Sequence, residues 1–133
     1  MSAKIVSTGS YRPKRIVSNH DLSKIMDTSD EWIQTRTGIV KRHYEDDSTL
    51  NMALHASLKA LEGIDLNSID GIIVGTYTAD NLIPSVAGAL RHALGFEKEI
   101  FAFDVNAACS GFIFALHTSY AYIKAGLAKR LLV

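Results

Sequence analysis

The feature that most constrains the fold is an unbroken apolar run near the middle of the chain, Ile72-Ile73-Val74, with a glycine on each side. Strands with one solvated face alternate apolar and polar residues, whereas an unbroken run is typical of a parallel strand covered on both faces. We therefore predict such a strand at residues 69–76. Because parallel strands are joined by crossover segments, usually helices, we expect an α/β protein with a mostly parallel sheet.

Shorter segments also show strand patterns. Residues 3–7 alternate weakly and predict a first strand, residues 100–105 predict a short buried strand, and residues 39–44 fit either a short strand or an extended loop. Residues 129–133 resemble the opening of a further strand. Since a chain seldom stops where a strand begins, we expect the sequence to be a fragment of a longer protein.

Helices are predicted where a capping residue or a proline precedes apolar residues at helical spacing. Four of them start at residues 18–19, 28–31, 48 and 84, with Pro84 in the first turn of the fourth. Glycines are expected to end the second, third and fourth of these helices, at Gly38, Gly63 and Gly95. The third is expected to carry Leu50, Leu54, Leu58 and Leu61 on one face, and a fifth, after residue 109, to carry Phe112, Leu116, Tyr120, Ile123 and Leu127 on one face.

The only cysteine, Cys109, lies where the strand of residues 100–105 gives way to the last helix. A helix N-terminus offers unpaired N–H groups and the positive end of the helix dipole, so a thiolate should form there more easily than on a free cysteine. Ala107, Ala108, Ser110 and Gly111 are small enough to admit a substrate carbonyl, and their N–H groups are candidate oxyanion donors. The position predicts a nucleophile, although a cysteine that only fills space in a core fits the residues equally well.

The charge balance argues against two classes of partner. The chain has 14 basic and 14 acidic side chains, so no excess charge predicts binding to nucleic acid or to an anionic membrane. It contains neither a secretory signal pattern nor 18 consecutive apolar residues, and we expect a cytoplasmic protein. No pattern predicts a metal site or a resident cofactor. Residues 1–133 are expected to form one domain.

Two motifs resemble those of a known family. The sequence DVNAACSGF at residues 104–112 is similar to the active-site cysteine motif of β-ketoacyl-acyl carrier protein synthase III, the condensing enzyme that initiates type II fatty acid synthesis. The sequence DTSDEWIQTRTGI at residues 27–39 resembles the coenzyme A segment of that family. IIVGT at residues 72–76 and IPS at residues 83–85 fit the strand and loop between the two motifs, so the resemblance covers the whole chain.

The resemblance implies a thiolase-like α/β sandwich made of two similar halves, of which residues 1–133 would be most of the first. It also implies that Cys109 attacks an acyl-coenzyme A primer, so that coenzyme A is part of a substrate and not a cofactor. Malonyl-acyl carrier protein would then decarboxylate and condense with the acyl group. The histidine and asparagine that promote decarboxylation belong to the second half in this family, and none of the five histidines here matches them. This chain alone is therefore expected to be inactive.

The residue types of the coenzyme A segment also suit nucleotide binding. An exposed Trp32 can stack on adenine, and Arg36, four residues later on the same helical face, can meet a phosphate or stack on the base. Thr28 and Thr37 can add hydroxyl contacts. From the residues alone, Trp32 as a core residue and Arg36 as a solvated charge fit as well; the resemblance favours the binding roles.

The resemblance also bears on Ile83 and on assembly. In the family, the residue before this Pro-Ser pair reaches into the acyl pocket of the partner subunit, so a homodimer is expected, with Ile83 in that pocket. An aromatic residue is often found there, and isoleucine leaves open whether the primer is acetyl, branched or longer. The basic residues Lys14, Arg15, Lys41 and Arg42 are either contacts for the carrier protein or nucleotide phosphates, or solvated charges.

Three functions fit these observations. The first is the initiating ketosynthase. The second is another acyltransferase on the same fold, of the polyketide, alkylquinolone or hydroxymethylglutaryl type. The third is a non-catalytic half-domain that binds coenzyme A or assembles with another chain.

Overall fold

The computed structural model describes residues 3–46 and 48–133, and the chain divides into two compact units, Met1–Tyr11 with Ser48–Val133, and Arg12–Asp47. In chain order, the helices and strands are β1 (Arg15–Ser18), α1 (Asn19–Ser23), α2 (Asp30–Thr37), β2 (Lys41–Tyr44), α3 (Thr49–Ala60), β3 (Gly71–Gly75), α4 (Val86–Ala93), β4 (Phe101–Val105), α5 (Gly111–Lys124) and β5 (Leu131–Leu132).

The larger unit is built on a parallel sheet with the strand order β4-β3-β5. Ile72 and Ile73, adjacent on β3, are both completely buried, which requires cover on both faces of the sheet because neighbouring side chains point in opposite directions. Helices α4 and α5 both pack on β3 and β4 and provide that cover. The predictions of a doubly covered strand and of an α/β architecture are confirmed.

Helix α3 packs on α4 and confirms the predicted Ser48 cap, whose side chain accepts a hydrogen bond from the Asn51 N–H. Leu50, Leu54 and Leu61 pack against the core, but Leu58 is half exposed, so the prediction that it shares their face is wrong. Each step of four residues turns the helix by about 40° beyond a full turn. Two such steps from Leu50 carry Leu58 away from the buried face.

Four of the five residues predicted to share one face of α5 do so, but that face is not the one that packs on the sheet. The buried residues of α5 are the small Gly111, Ala115 and Ser119, whereas Phe112 and Tyr120 are 56% and 50% exposed. The small residues allow the helix backbone to lie close to the sheet, as at Gly111, whose carbonyl carbon would be 2.7 Å from a Cβ on Gly75. Leu127 follows the end of the helix and is exposed, while four large side chains line a cavity of about 680 Å³ within this unit: Phe112, Leu116, Tyr120 and Ile123.

Two predicted element starts are wrong for identifiable reasons. Residues 3–7 pair with none of the described strands; this segment lies against α3 instead, with the Ser7 hydroxyl donating to the Ala60 carbonyl at 2.6 Å. Helix α4 starts at Val86, so Pro84 precedes it. Ser85 caps α4 by accepting a hydrogen bond from the Gly88 N–H at 3.0 Å, and the Asp104 carboxylate accepts from the N–H groups of Val86 and Ala87, each at 2.8 Å.

The smaller unit combines an antiparallel pair, β1 with β2, and the helices α1 and α2. Of the two interpretations for residues 39–44, the strand is correct over Lys41–Tyr44. Ser18 caps α1 by exchanging hydrogen bonds with Asp21, and these bonds, with help from Lys24, hold the pKa of Asp21 well below its usual value. None of the helices in the described ranges is long and apolar enough to cross a membrane.

Candidate active site

Cys109 lies in a short 3-10 turn, Ala108–Ser110, which joins β4 to α5 and is called the cysteine turn below, and its side chain is exposed. The exposure removes the alternative of a cysteine buried as core filling. Ala108 starts the turn with a φ of 45°, in the left-handed region that most side chains avoid. The hydrogen bonds of the turn are donated by the N–H groups of Ser110 to Ala107 and of Gly111 to Ala108. As predicted, the thiol therefore lies at the start of α5, immediately before Gly111.

The position of the turn depends on a close approach between backbones. A Cβ atom on Gly75, at the end of β3, would lie 2.7 Å from the carbonyl carbon of Gly111 and from the nitrogen of Phe112. Beside it, the Thr76 N–H donates to the carbonyl of Val105 at 3.1 Å. The ends of two parallel strands and the start of α5 therefore meet beside the cysteine, with no space for a side chain at residue 75.

Three of the five histidines make contacts that explain their presence within the fold. His55 stacks on Tyr11 with ring centroids 4.8 Å apart, and Nδ1 of His43 lies 2.6 Å from the Pro13 carbonyl oxygen. His117, on α5, contacts the ring of Phe114 edge to face. No group of three His, Cys, Asp or Glu side chains within residues 3–46 and 48–133 is arranged to hold a metal ion.

Helix α2 presents the second candidate site, and its boundaries agree with the prediction. Ser29 caps it through a hydrogen bond from the Trp32 N–H at 3.0 Å, and Gly38 ends it in the left-handed conformation. Trp32 is 54% exposed, which excludes the core role, and the Arg36 guanidinium lies 5.2 Å from the centre of its ring. Such a spacing is that of a cation–π contact.

A shallow cavity of about 350 Å³ lies beside Trp32 and is lined by Asp27, Thr28, Ser29 and Trp32. Two of the predicted site residues, Thr28 and Trp32, therefore share one cavity, and Arg36 is in contact with Trp32. Stacking on an aromatic ring requires an accessible ring face. The arrangement on α2 can therefore offer a planar base an aromatic surface, with a cation and a hydroxyl next to it.

Thr37 is not among the residues that line this cavity. Its hydroxyl donates to the Ile33 carbonyl at 2.7 Å and accepts from the Ile39 N–H at 3.1 Å, so it stabilises the end of α2. Sequence reasoning missed this structural role. Two of the basic candidates are likewise engaged within the unit: Arg15 forms an ion pair with Asp46, and Arg42 donates to the Val17 carbonyl.

Sequence reasoning also missed Asn19, which is only 1% exposed. Its side-chain amide donates to the Asp30 carboxylate at 2.8 Å and to the Ile39 carbonyl at 2.7 Å, and its oxygen accepts from Arg42. The available signal, a polar residue at a helix start, is equally typical of a helix cap. The structure gives the capping role to Ser18 and places Asn19 inside the unit.

Ile83 lies in the loop between β3 and α4 and is 89% exposed, next to Leu82, which is 99% exposed. The loop is attached to α3 by Asp80, whose carboxylate accepts hydrogen bonds from the N–H groups of Thr49 at 2.8 Å and Leu50 at 2.9 Å. Two exposed apolar side chains on an anchored loop suit a contact with another surface. The predicted contact with a partner's acyl pocket stays a prediction.

Comparison with known proteins gives a consistent result. The profile of the family described as 3-Oxoacyl-[acyl-carrier-protein (ACP)] synthase III matches residues 103–133, which include the cysteine turn. A β-ketoacyl-[acyl-carrier-protein] synthase III of Xanthomonas campestris pv. campestris is 49% identical over 98% of this chain. This chain spans 41% of the length of that relative.

Solved structures agree. The β-ketoacyl-[acyl carrier protein] synthase III of Thermus thermophilus matches 97% of this chain and 41% of its own, with 38% identity and a TM-score of 0.86. The priming β-ketosynthase from the R1128 polyketide biosynthetic pathway matches 92% of this chain and 38% of its own, with 39% identity and a TM-score of 0.83. The expected thiolase-like fold class is thereby confirmed.

Proposed function

The chain belongs to the β-ketoacyl-[acyl-carrier-protein] synthase III family, and on that premise we propose that the protein is the acyltransferase that initiates fatty acid synthesis, with Cys109 as its nucleophile. The observation that carries the proposal is an exposed cysteine in the turn between β4 and α5. Because the chain spans less than half of its relatives, the activity, substrates and partners are proposed for the full-length protein.

In the first half-reaction, the sulfur of Cys109 attacks the thioester carbonyl of an acyl-coenzyme A such as acetyl-coenzyme A. The new C–S bond forms as the bond to coenzyme A breaks, and coenzyme A leaves as a thiol with the proton that Cys109 gave up. Since the hydrogen bonds of the turn are donated by Ser110 and Gly111, we assign the Cys109 N–H as a donor to the oxyanion.

In the second half-reaction, malonyl-acyl carrier protein loses its carboxyl group as CO₂, and the electron pair of the broken C–C bond attacks the acyl carbonyl. Cys109 leaves as thiolate, and the product is a β-ketoacyl-acyl carrier protein. The histidine and asparagine for this step are proposed to lie outside these 133 residues. A homodimer, in which Ile83 enters the partner's acyl pocket, and a cytoplasmic location belong to the same proposal.

The coenzyme A portion of the primer is proposed to bind at α2, with its adenine on Trp32, its phosphates near Arg36 and a hydroxyl contact from Thr28. The exposure of Trp32 and the cavity beside it support this assignment. Thr37 is assigned to the end of the helix, where its hydroxyl already makes two hydrogen bonds.

A second function, priming of a polyketide pathway, is favoured by the match to the R1128 priming ketosynthase at 39% identity. Both functions use the same acyl-cysteine, so the distinction rests on the carrier protein and the primer. Turnover with fatty-acid and polyketide carrier proteins, measured side by side, separates them.

The test of the nucleophile is intact-protein mass spectrometry of the full-length protein after incubation with acetyl-, branched and longer acyl-coenzyme A. We expect one acyl adduct on the wild type and on Ser110→Ala, and none on Cys109→Ala. The Ser110 variant is a matched control, because the Ser110 side chain makes no capping hydrogen bond to α5. Failure of every primer to label the wild type would remove the condensing-enzyme proposal.

A further inference from the structure

The strongest unassigned feature is the buried side-chain amide of Asn19. Its nitrogen donates to Asp30, the first residue of α2, and to the carbonyl of Ile39, two residues past the last residue of the same helix. One side chain therefore bonds to both ends of the helix that carries Trp32 and Arg36. Neither bond belongs to the capping pattern of α1, in which Asn19 is the first residue.

The partners of Asn19 make further hydrogen bonds at both ends of α2. The other oxygen of Asp30 accepts from the Gln34 side chain at 2.6 Å, and the Ile39 N–H donates to the Thr37 hydroxyl. The backbone N–H of Asn19 donates to the Val40 carbonyl at 3.3 Å. The start and the end of α2 are thus held relative to one residue of α1 and not only by the capping groups of the helix itself.

Both amide hydrogens and the amide oxygen of Asn19 are in use, since Arg42 of β2 donates to the oxygen. A buried amide with all of its groups paired fixes one geometry, because any shift leaves a polar group unpaired in a water-poor environment. Arg42 is itself fixed by its bond to the Val17 carbonyl. The position of α2 is therefore determined from β1, β2 and α1 together.

We propose that Asn19 is a positioning residue for coenzyme A recognition, which sets the placement of α2 and hence of Trp32 and Arg36. The inference rests on the coenzyme A site under "Proposed function". Asn19 touches no substrate. Its loss alters the placement of the stacking surface and weakens binding of the nucleotide, while the chemistry at Cys109 proceeds at its normal rate once the primer is bound.

The test uses the full-length protein and two measurements: calorimetric titration with coenzyme A, and steady-state kinetics with acetyl-coenzyme A. For Asn19→Ala we expect the Kd for coenzyme A and the KM for acetyl-coenzyme A to rise about tenfold, with kcat within about twofold and the KM for malonyl-acyl carrier protein unchanged. A role in general stability alone would not separate the two KM values.

A swap provides the rescue. Asn19→Asp places a carboxylate against that of Asp30 and is expected to weaken coenzyme A binding at least as much as Asn19→Ala. Adding Asp30→Asn restores a donor and an acceptor between residues 19 and 30 but not the bond to the Ile39 carbonyl, so the double variant should recover part of the affinity that Asn19→Asp loses. Gln34→Ala is the matched control, because it removes only the exposed bond to the other oxygen of Asp30, and should change the Kd less than about twofold.

The outcomes are distinguishable. If the folded Asn19 variants bind coenzyme A as tightly as the wild type while Trp32→Ala binds weakly, the positioning role is wrong and the coenzyme A site stands. If Trp32→Ala has no effect on binding, the coenzyme A site itself is wrong, and the role of Asn19 falls with it. A fall in kcat with unchanged KM for acetyl-coenzyme A would also overturn the role, and if Asn19→Ala does not fold, the swap pair decides.

Discussion

The cysteine turn and helix α2 are built by opposite means. Around Cys109 the structure depends on contacts between backbones that only residues without side chains allow. Gly75 lies against Gly111, and Ala108 takes a left-handed conformation. Helix α2 depends on side-chain hydrogen bonds, made by Ser29 and Thr37 and by the buried Asn19. The first region should therefore be sensitive to added volume, and the second to the loss of a donor or acceptor.

The largest effect is expected from added volume at the cysteine turn. In Gly75→Ala the new methyl group would lie 2.7 Å from the backbone of α5, which has to move and to displace Cys109 with it. We expect the rate of acylation by acetyl-coenzyme A to fall by about 100-fold, the size of effect that a misplaced reacting group produces. Rapid-quench mass spectrometry of the full-length protein measures that rate.

The matched control adds a methyl group to Gly111, the other glycine of the same contact. A Cβ on Gly111 would meet its nearest neighbour, the Val105 carbonyl oxygen, at 3.5 Å, which is an ordinary contact, and its φ of −52° suits alanine. Gly111→Ala should therefore acylate within about threefold of the wild type. Equal loss in both variants would contradict the view that the direction of the added methyl group matters.

The next effect is expected from removing the aromatic surface of α2. Trp32→Ala should weaken coenzyme A binding by about 2 kcal/mol, or roughly 30-fold, because stacking of a base on an aromatic ring contributes on that scale. Trp32→Phe keeps a smaller ring and should lose less. Titration calorimetry of the two variants decides, and an equal loss in both would show that stacking is not what Trp32 provides.

A smaller effect, on stability, is expected at Asp70 in the larger unit. Its carboxylate holds the segment before β5 by hydrogen bonds. Asp70 accepts hydrogen bonds from the N–H groups of Lys129 and Arg130 and contacts Lys98. The Lys129 bond is the largest cause of its lowered pKa, which burial partly opposes. Asp70→Asn should cost about 1.5 kcal/mol of unfolding free energy at neutral pH.

The lowered pKa of Asp70 predicts how its contribution to stability changes with pH. Because the pKa of Asp70 is lower in the folded than in the unfolded state, its stabilisation is present above the unfolded value of about 3.9 and is lost as pH falls through the folded value. The stability difference between the wild type and Asp70→Asn should thus narrow below about pH 5 in urea unfolding experiments. A difference that stays constant down to about pH 3 would contradict this.

The smallest effects separate two threonines of the same motif. Thr37→Val removes two local hydrogen bonds and should lower stability by about 1 kcal/mol, with coenzyme A affinity within about twofold of the wild type. Thr28→Val, in the wall of the cavity beside Trp32, should weaken coenzyme A binding and leave stability nearly unchanged. Thermal unfolding and calorimetry on the pair test this, and a Thr37 variant that binds weakly without loss of stability would return Thr37 to the binding site.

Local chemistry made part of the fold predictable. The apolar run of β3, the Ser29 cap and the Gly38 end of α2 each depend on a few neighbouring residues, and they were predicted correctly. β1 was missed because its four residues form a strand only through pairing with β2. The apolar spacing placed four large side chains of α5 on one face, but it did not show that the small residues of the helix are the ones that pack on the sheet.

The candidate sites divide in the same way. The contact between Trp32 and Arg36 follows from a spacing of four residues on one helix, and the junction at Cys109 follows from a change of pattern. The roles of Asn19 and Thr37 depend on partners that only the fold brings near, such as Asp30 and Ile39 for the asparagine. Sequence therefore indicated the candidate site residues but not the residues that hold them in place.

Ala108 has a consequence for engineering and for natural variation. Its left-handed φ costs on the order of 1 kcal/mol relative to glycine, so the simplest way to relieve local strain lies next to the proposed nucleophile. Ala108→Gly would relax the folded backbone but also enlarge the freedom of the turn that presents the thiol. Selection for thermal stability and selection for turnover should therefore favour different residues at this one position.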